Sequence, residues 1–219
     1  NAKDRKKVIH HVVEGKSVAY VSEAGTPLIA DPGYQLVVDV RREGLSVSAA
    51  PGPAACIAAL TVAGLPTDQF HFAGFLAPQQ VARQKQLAAF MALRATVVLY
   101  ESPKRLNALL ADIETTGGPA RPVAVCRELT KKFEDVQSGP VESLRAFYAE
   151  TPARGEIVVL IGAGDEAKIN KGDLEAALVH AMLNLRVKDA ADAVAGAYGL
   201  PRRDIYQLAL KLRAIKTEY

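Results

Sequence analysis

The 219-residue chain predicts an α/β fold followed by a helical extension, on two observations. Short runs rich in Val, Ile, Leu and aromatic residues alternate with amphipathic stretches, the pattern of successive βαβ units and hence of a parallel sheet. From about residue 173 onward the strand-like runs stop and only helical patterns remain.

Taken in order, the runs at 17–22 (SVAYVS), 45–50 (LSVSAA), 70–76 (FHFAGFL), 96–101 (TVVLYE), 122–127 (PVAVCR) and 156–162 (EIVVLIG) read as strands. Helical periodicity falls between them at 34–43, 54–63, 79–93, 105–115 and 141–150. In the tail, DLEAALVHAMLNL, KDAADAVAGAYG and RRDIYQLALKLRA predict three short helices punctuated by Gly199 and Pro201.

Composition bounds the function. With 49% apolar and 23% charged residues the chain can bury a globular core. No apolar stretch approaches the roughly 20 residues that cross a bilayer, and no secretory signal pattern occurs, so a cytoplasmic protein without a membrane partner is expected. Cys56 and Cys126 sit in apolar runs without Cys or His at ligand spacing, which predicts buried thiols and no metal site. Net charge is +3 and spread evenly along the chain, so no basic face announces nucleic acid by itself.

In α/β sheets ligands collect beyond the carboxyl ends of strands. Four loops there are polar and rich in Gly or Pro. The first, SEAGTPLIADPG, is long for a strand-to-helix connection and holds Glu23 and Asp31. The second, PGPAA, has Gly52, which lets backbone approach a ligand, and Pro53, suited to a helix start whose N–H groups take an anion. The third, YESPKRL, puts Glu101 at a strand end and Lys104 and Arg105 at a helix start. The fourth, RELTKKFED, carries Arg127, Glu128 and Lys131. A rival signal, GAGDEA, fits a dinucleotide fingerprint through Gly162, Gly164 and Ala167, but the residues after it lack an apolar helical face, and a final strand with a linker is expected instead.

Together SEAGTPLIADPGYQLV, PGPAACIAALTVAGLPTDQFHFAGFL, YESPKRL, RELTKKFE and RGEIVVLI resemble the RsmI-type ribosomal RNA small subunit 2′-O-methyltransferases, within the tetrapyrrole methylase-like (class III) S-adenosylmethionine enzymes. The resemblance covers nearly the whole chain, with Glu23 where the family has Asp and Ala54 where it has Ser. It implies two α/β domains, here 1–73 and 74–164, with a helical extension at 165–219, a homodimer, and a further strand and loop ahead of Asn1. Without that strand, apolar side chains of VAYVS and LSVSAA would lie along an unpaired edge.

The resemblance also implies S-adenosylmethionine as cofactor, lined by Gly25, Thr26, Ile29, Ala54, Ala55, Tyr100 and Glu156. Polar work near the substrate then falls to Glu101, Arg127, Glu128 and Lys131. Arg127, Lys131 and Lys104 are assigned to phosphate or ribose, and Arg105 joins Lys104 in contacting RNA. The implied substrate is a cytidine ribose of 16S rRNA at the decoding centre, within a 30S particle. In the tail, Arg202 and Arg203 belong either to an accessory RNA contact or to a helical cap. Two other readings stay open: the same fold acting on a tetrapyrrole or other small molecule, and a non-enzymatic nucleic-acid-binding protein.

Overall fold

The most apolar runs of the chain become the centre of a sheet. In the computed structural model, which describes residues 2–163, 171–198 and 200–217, the chain begins with helices α1 (Ala2–Val13), α2 (Tyr34–Arg42) and α3 (Ala55–Val62). Then come β1 (Phe70–Gly74), α4 (Gln80–Met91), β2 (Thr96–Glu101), α5 (Pro103–Gly117), β3 (Pro122–Arg127), β4 (Asp135–Pro140), α6 (Val141–Glu150) and β5 (Ile157–Ile161). Helices α7 (Lys171–Ala181), α8 (Val187–Tyr198) and α9 (Arg202–Thr217) follow. The chain divides into two compact units, Asn1–Gly164 and Asp165–Tyr219.

Strand order in the first unit is β1-β2-β5-β3-β4. Only β1 and β2 run parallel, and the remaining pairs are antiparallel, so the expected all-parallel sheet is mixed. The cause is β5, which inserts between β2 and β3 instead of extending an edge. Strands β2, β3 and β5 are buried nearly end to end, as continuous apolar runs require when both faces are covered. The polar edge strand β4 gives no apolar alternation, and for that reason DVQSGP does not read as a strand in sequence.

Side chains alternate across the sheet with period two. Val97, Leu99, Val123, Val125, Ile157, Val159 and Ile161 face one cluster with Leu87 of α4, Leu106, Leu109, Leu110 and Ile113 of α5, and Leu144 and Tyr148 of α6. Val98, Ala124, Cys126, Val158 and Leu160 join Cys56, Ala59, Leu60 and Ala63 of the α3 segment in another. Both cysteines are buried thiols.

Segments 17–22 and 45–50 do not form strands. A strand exists through its ladder, and neither segment meets one among the described residues, so Val18, Tyr20, Val21 and Val47 remain exposed. Helix α1 has no fully buried residue: its short apolar stripe of Val8, Ile9 and Val12 is half-buried, and Arg5 ties the helix to Asp39 of α2 at 2.7 Å.

The second unit has its own core of Leu174, Leu178, Ala191, Val194, Ala195, Ile205 and Ala209, drawn from all three predicted helices. Gly164 and Ala167 of the rival fingerprint lie outside the described residues, as does Gly199. No helix among the described residues is long and apolar enough to cross a membrane.

Candidate functional site

Antiparallel pairing of β5 with both neighbours builds the site. Glu101 at the end of β2 and Arg127 at the end of β3 both register with Ile157 at the start of β5. One end of the sheet thus gathers the loop after β2, the turn after β3 and the residues before β5. A cavity of about 450 Å³ opens there, and its lining includes Gly25, Thr26, Ile29, Ala54, Ala55, Tyr100, Glu101 and Glu156. All seven residues predicted to surround the cofactor therefore meet at one cavity, together with Glu101.

The long first loop forms one wall because it folds back on itself. Ser22 Oγ donates to Asp31 Oδ2 at 2.5 Å, Tyr20 donates to the Pro32 carbonyl at 2.9 Å, and Thr26 Oγ1 donates to the Pro53 carbonyl at 2.9 Å. The path requires left-handed backbone at Leu28 (φ 72°) and Ala30 (φ 56°), conformations that L residues disfavour. The other two non-glycine residues described with positive φ, Glu128 (51°) and Thr130 (64°), lie in the turn after β3. Strain of this kind collects at binding sites, where surrounding structure holds it in place.

Glu101 is buried, with its Oε1 accepting the Ser102 N–H at 2.7 Å. Its Oε2 forms an ion pair with Arg105 at 3.2 Å but has no hydrogen-bond partner. Arg105 also donates to the Leu76 and Ala77 carbonyls at 2.9 and 3.2 Å, so its guanidinium is engaged inside the fold. Tyr100 OH accepts the Cys56 N–H at 3.2 Å, stitching β2 to the start of α3. Burial pushes the Tyr100 hydroxyl up to about 12, and it stays protonated at neutral pH.

Arg127, Glu128, Lys131 and Lys104 stand beside the cavity lining. Glu128 accepts the Glu156 N–H at 2.8 Å, and Lys131 reaches both Glu128 (3.0 Å) and Glu156 (3.1 Å). Arg127 lies 3.9 Å from Asp135, and Lys104 is exposed in the first turn of α5. Asp31, Phe75, Ser102, Leu129 and Gly155 also line the cavity; all five fall inside the motifs quoted above, but none is singled out there as a cofactor contact. The lining holds three carboxylates, Asp31, Glu101 and Glu156, and no Lys, Arg or His among the described residues. Such a wall favours a cationic ligand.

The Glu128 clamp sets a pH window. Hydrogen bonding from the Glu156 amide first, then Lys131, lowers the Glu128 carboxyl below its ordinary 4.5, and hydrogen bonds to Glu128 and Glu156 raise Lys131 above 10.5. A lowered acid stabilises fully above its unfolded value and loses this as pH falls through the folded one; a raised base does so below its unfolded value and loses it as pH rises. The clamp should hold between pH 4.5 and 10.5 and open only outside it. A Glu156 amide resonance that titrates near neutral pH would contradict this.

In the second unit Arg202 is paired with Asp192, while Arg203 is exposed.

Residues 2–145 match the family described as Tetrapyrrole (Corrin/Porphyrin) Methylases. The chain belongs to that family. Residues 170–213 match the RsmI C-terminal HTH domain. Among curated relatives, "Ribosomal RNA small subunit methyltransferase I" of Mesorhizobium japonicum is 40% identical over 94% of this chain and 71% of its own. The protein of that name from Mycobacterium tuberculosis is 42% identical over 91% of this chain and 70% of its own. Two solved structures share the fold. Cobalt precorrin-4 methyltransferase CbiF has TM-score 0.54 at 20% identity over 72% of this chain and 69% of its own. The methyltransferase CobJ has TM-score 0.56 at 19% identity over 73% and 70%.

Gly25 in this family member adopts φ +66°, and a Cβ there would meet nothing within 4 Å. Gly25→Val should therefore act through the backbone as well as by filling space, since a β-branched side chain resists left-handed φ. Calorimetry with S-adenosylmethionine should show binding lost in Gly25→Val and weakened in Gly25→Ala. Parent-like affinity in both would remove this loop from the site.

Proposed function

We propose that this chain methylates ribosomal RNA of the small subunit, using S-adenosylmethionine held in the cavity at the end of the sheet. The observation that carries the reading is the carboxylate-lined cavity with the buried Glu101, whose Oε2 is ion-paired with Arg105 and accepts no hydrogen bond. That chemistry fits a ligand with a sulfonium and an ammonium group. When bound, the cofactor supplies an electrophilic methyl group.

Gly25, Thr26, Ile29, Ala54, Ala55, Tyr100 and Glu156 hold it in this reading, with Glu156 kept in place by Glu128 and Lys131. Glu101 Oε2 is the acceptor for the proton of the attacking hydroxyl, and Arg105 orients that carboxylate. Alignment of the reactants accounts for the larger share of the rate, roughly 7–11 kcal/mol in favourable cases; proton acceptance adds about 10²–10⁴-fold. Arg127 and Lys104 take RNA phosphates, because RNA is gripped chiefly through its backbone.

The relatives' names direct the reading to small-subunit rRNA, and the resemblance of the motifs directs it further to a cytidine 2′-OH at the decoding centre of a 30S particle. A cytoplasmic homodimer, with the first unit subdivided near residue 74, completes the proposal. Labelled methyl transfer into 30S subunits, mapped to the ribose, tests it. Cofactor binding without transfer to rRNA would favour a small-molecule substrate.

The second unit touches RNA through α9 in this proposal. Replacing Arg202 and Arg203 by Glu should weaken 30S binding and lower its salt slope by about one for each phosphate no longer neutralised. The exposed Arg203 should account for most of the change, because Arg202 is paired with Asp192. An unchanged slope would leave the unit as a packing cap.

A further inference from the structure

The turn between β3 and β4 presents an aromatic ring that neither the core nor the cavity uses. Phe133 is 63% exposed. The turn that carries it is tightly held: Thr130 N–H donates to the Glu134 carboxylate at 2.6 Å, Lys131 N–H to the Glu128 carbonyl at 3.0 Å, and Glu134 N–H to the Lys131 carbonyl at 3.2 Å. It is also anchored to the cavity, since Leu129 lines it and Glu128 grips the backbone of Glu156.

A single exposed aromatic is ordinary. One fixed on a strained turn beside a ligand cavity, with Lys132 Nζ 5.5 Å from its ring centroid, is a different matter. The fold would be served equally by a polar residue, which would not expose apolar surface to water. An exposed ring with an adjacent ammonium group is the pairing that grips unpaired nucleotides: the ring stacks on a base, and the cation meets the phosphate.

Resting on the proposed rRNA substrate, we propose that Phe133 is a stacking platform for an unpaired base of the RNA, with Lys132 on an adjoining phosphate. Stacking at this point places RNA at the mouth of the cavity without asking Lys131, which is bound to Glu128 and Glu156, to leave its partners. It also gives the strained turn a purpose, since a ring that must meet a base at a set distance from the reacting centre has to be held rigidly.

The chain contains no tryptophan, so Phe133→Trp introduces a single fluorophore at the site. Titration with single-stranded oligo(C) ribonucleotide should quench its emission saturably. Phe133→Ala should weaken binding of the same oligonucleotide about five- to a hundredfold, with Phe133→Trp retaining it. Affinity for S-adenosylmethionine should not change in either variant. Unquenched emission, or parent-like RNA affinity in Phe133→Ala, would overturn the proposal. So would emission that changes with protein concentration alone, which would mark the ring as a contact between copies. The fluorescence is read without cofactor, so absence of methyl transfer by the parent protein bears on the proposed activity and not on this stacking.

Discussion

Asp112→Ala should destabilise the first unit by about 3–5 kcal/mol, the range seen when a buried ion pair loses one partner. Asp112 on α5 is fully buried and receives Arg83 of α4 through Nε and the terminal nitrogen, both at 2.6 Å. Gln80 and Gln84 of α4 add hydrogen bonds at 3.1 and 2.8 Å. Burial by itself would raise the Asp112 carboxyl, but the hydrogen bonds from Gln80, Gln84 and Arg83 outweigh it and leave the group below its ordinary value. Removing the carboxylate leaves the guanidinium of Arg83, a residue only 5% exposed, with the Pro78 carbonyl at 3.0 Å but no counter-charge. Thermal unfolding should then occur on the order of ten degrees lower. Converting Arg83 to Met together with Asp112 to Leu should recover most of the loss, because apolar side chains of similar volume need no partner. A single mutant as stable as the parent would show that the guanidinium finds solvent, contrary to the packing of α4 on α5.

Gly155→Ala is expected to impair cofactor binding more than its small size suggests. Gly155 has φ +81°, and a Cβ built there falls on the Glu128 carboxyl group, closer than van der Waals radii allow. The glycine is therefore what admits Glu128 to the Glu156 amide. With Ala in place, Glu128 must swing away, so the Glu156 N–H loses its acceptor and Lys131 is left with Glu156 alone. S-adenosylmethionine affinity should drop roughly tenfold or more, the order of effect of one hydrogen bond to a charged group. Because the same φ strains any L residue by about 1–2 kcal/mol, a denaturation midpoint must be measured in parallel. Affinity unchanged in a folded variant would separate the clamp from binding. Glu128→Gln, which keeps the space but weakens the pairing, should show a smaller loss in the same direction.

Much of the site was legible in the chain before folding. Gly25, Thr26, Ala54, Tyr100 and Glu156 belong to motifs whose order and spacing resemble one family, and the cavity brings them together. Other features were not legible because they have no local signal. The Glu101 to Arg105 pair looks in sequence like a carboxylate and a cation for separate tasks, and only packing of the strand end against Leu76 and Ala77 commits the guanidinium internally. Phe133 sits in a polar run, so its isolation from the core could not be read from periodicity.

By itself the sequence determined where the buried central strands and most of the helices lie, but not that the apolar runs 17–22 and 45–50 stay outside the sheet. Covered faces demand continuous Val, Ile and Leu, and a helix packed on one side demands a stripe, so β2, β3 and β5 and helices α2, α5 and α6 announce themselves, while α3 is apolar all round and α4 carries only a weak stripe. Helices α8 and α9 do so as well, by the same stripe, whereas α7 is legible by its helix-forming residues and not by a stripe. Strand direction was decided only by tertiary structure. An apolar run reads the same whichever way it pairs, and the long-range ladder alone places β5 antiparallel between β2 and β3. That placement carries Glu156 to the end of the sheet that holds Glu101 and Arg127, and there the cavity forms.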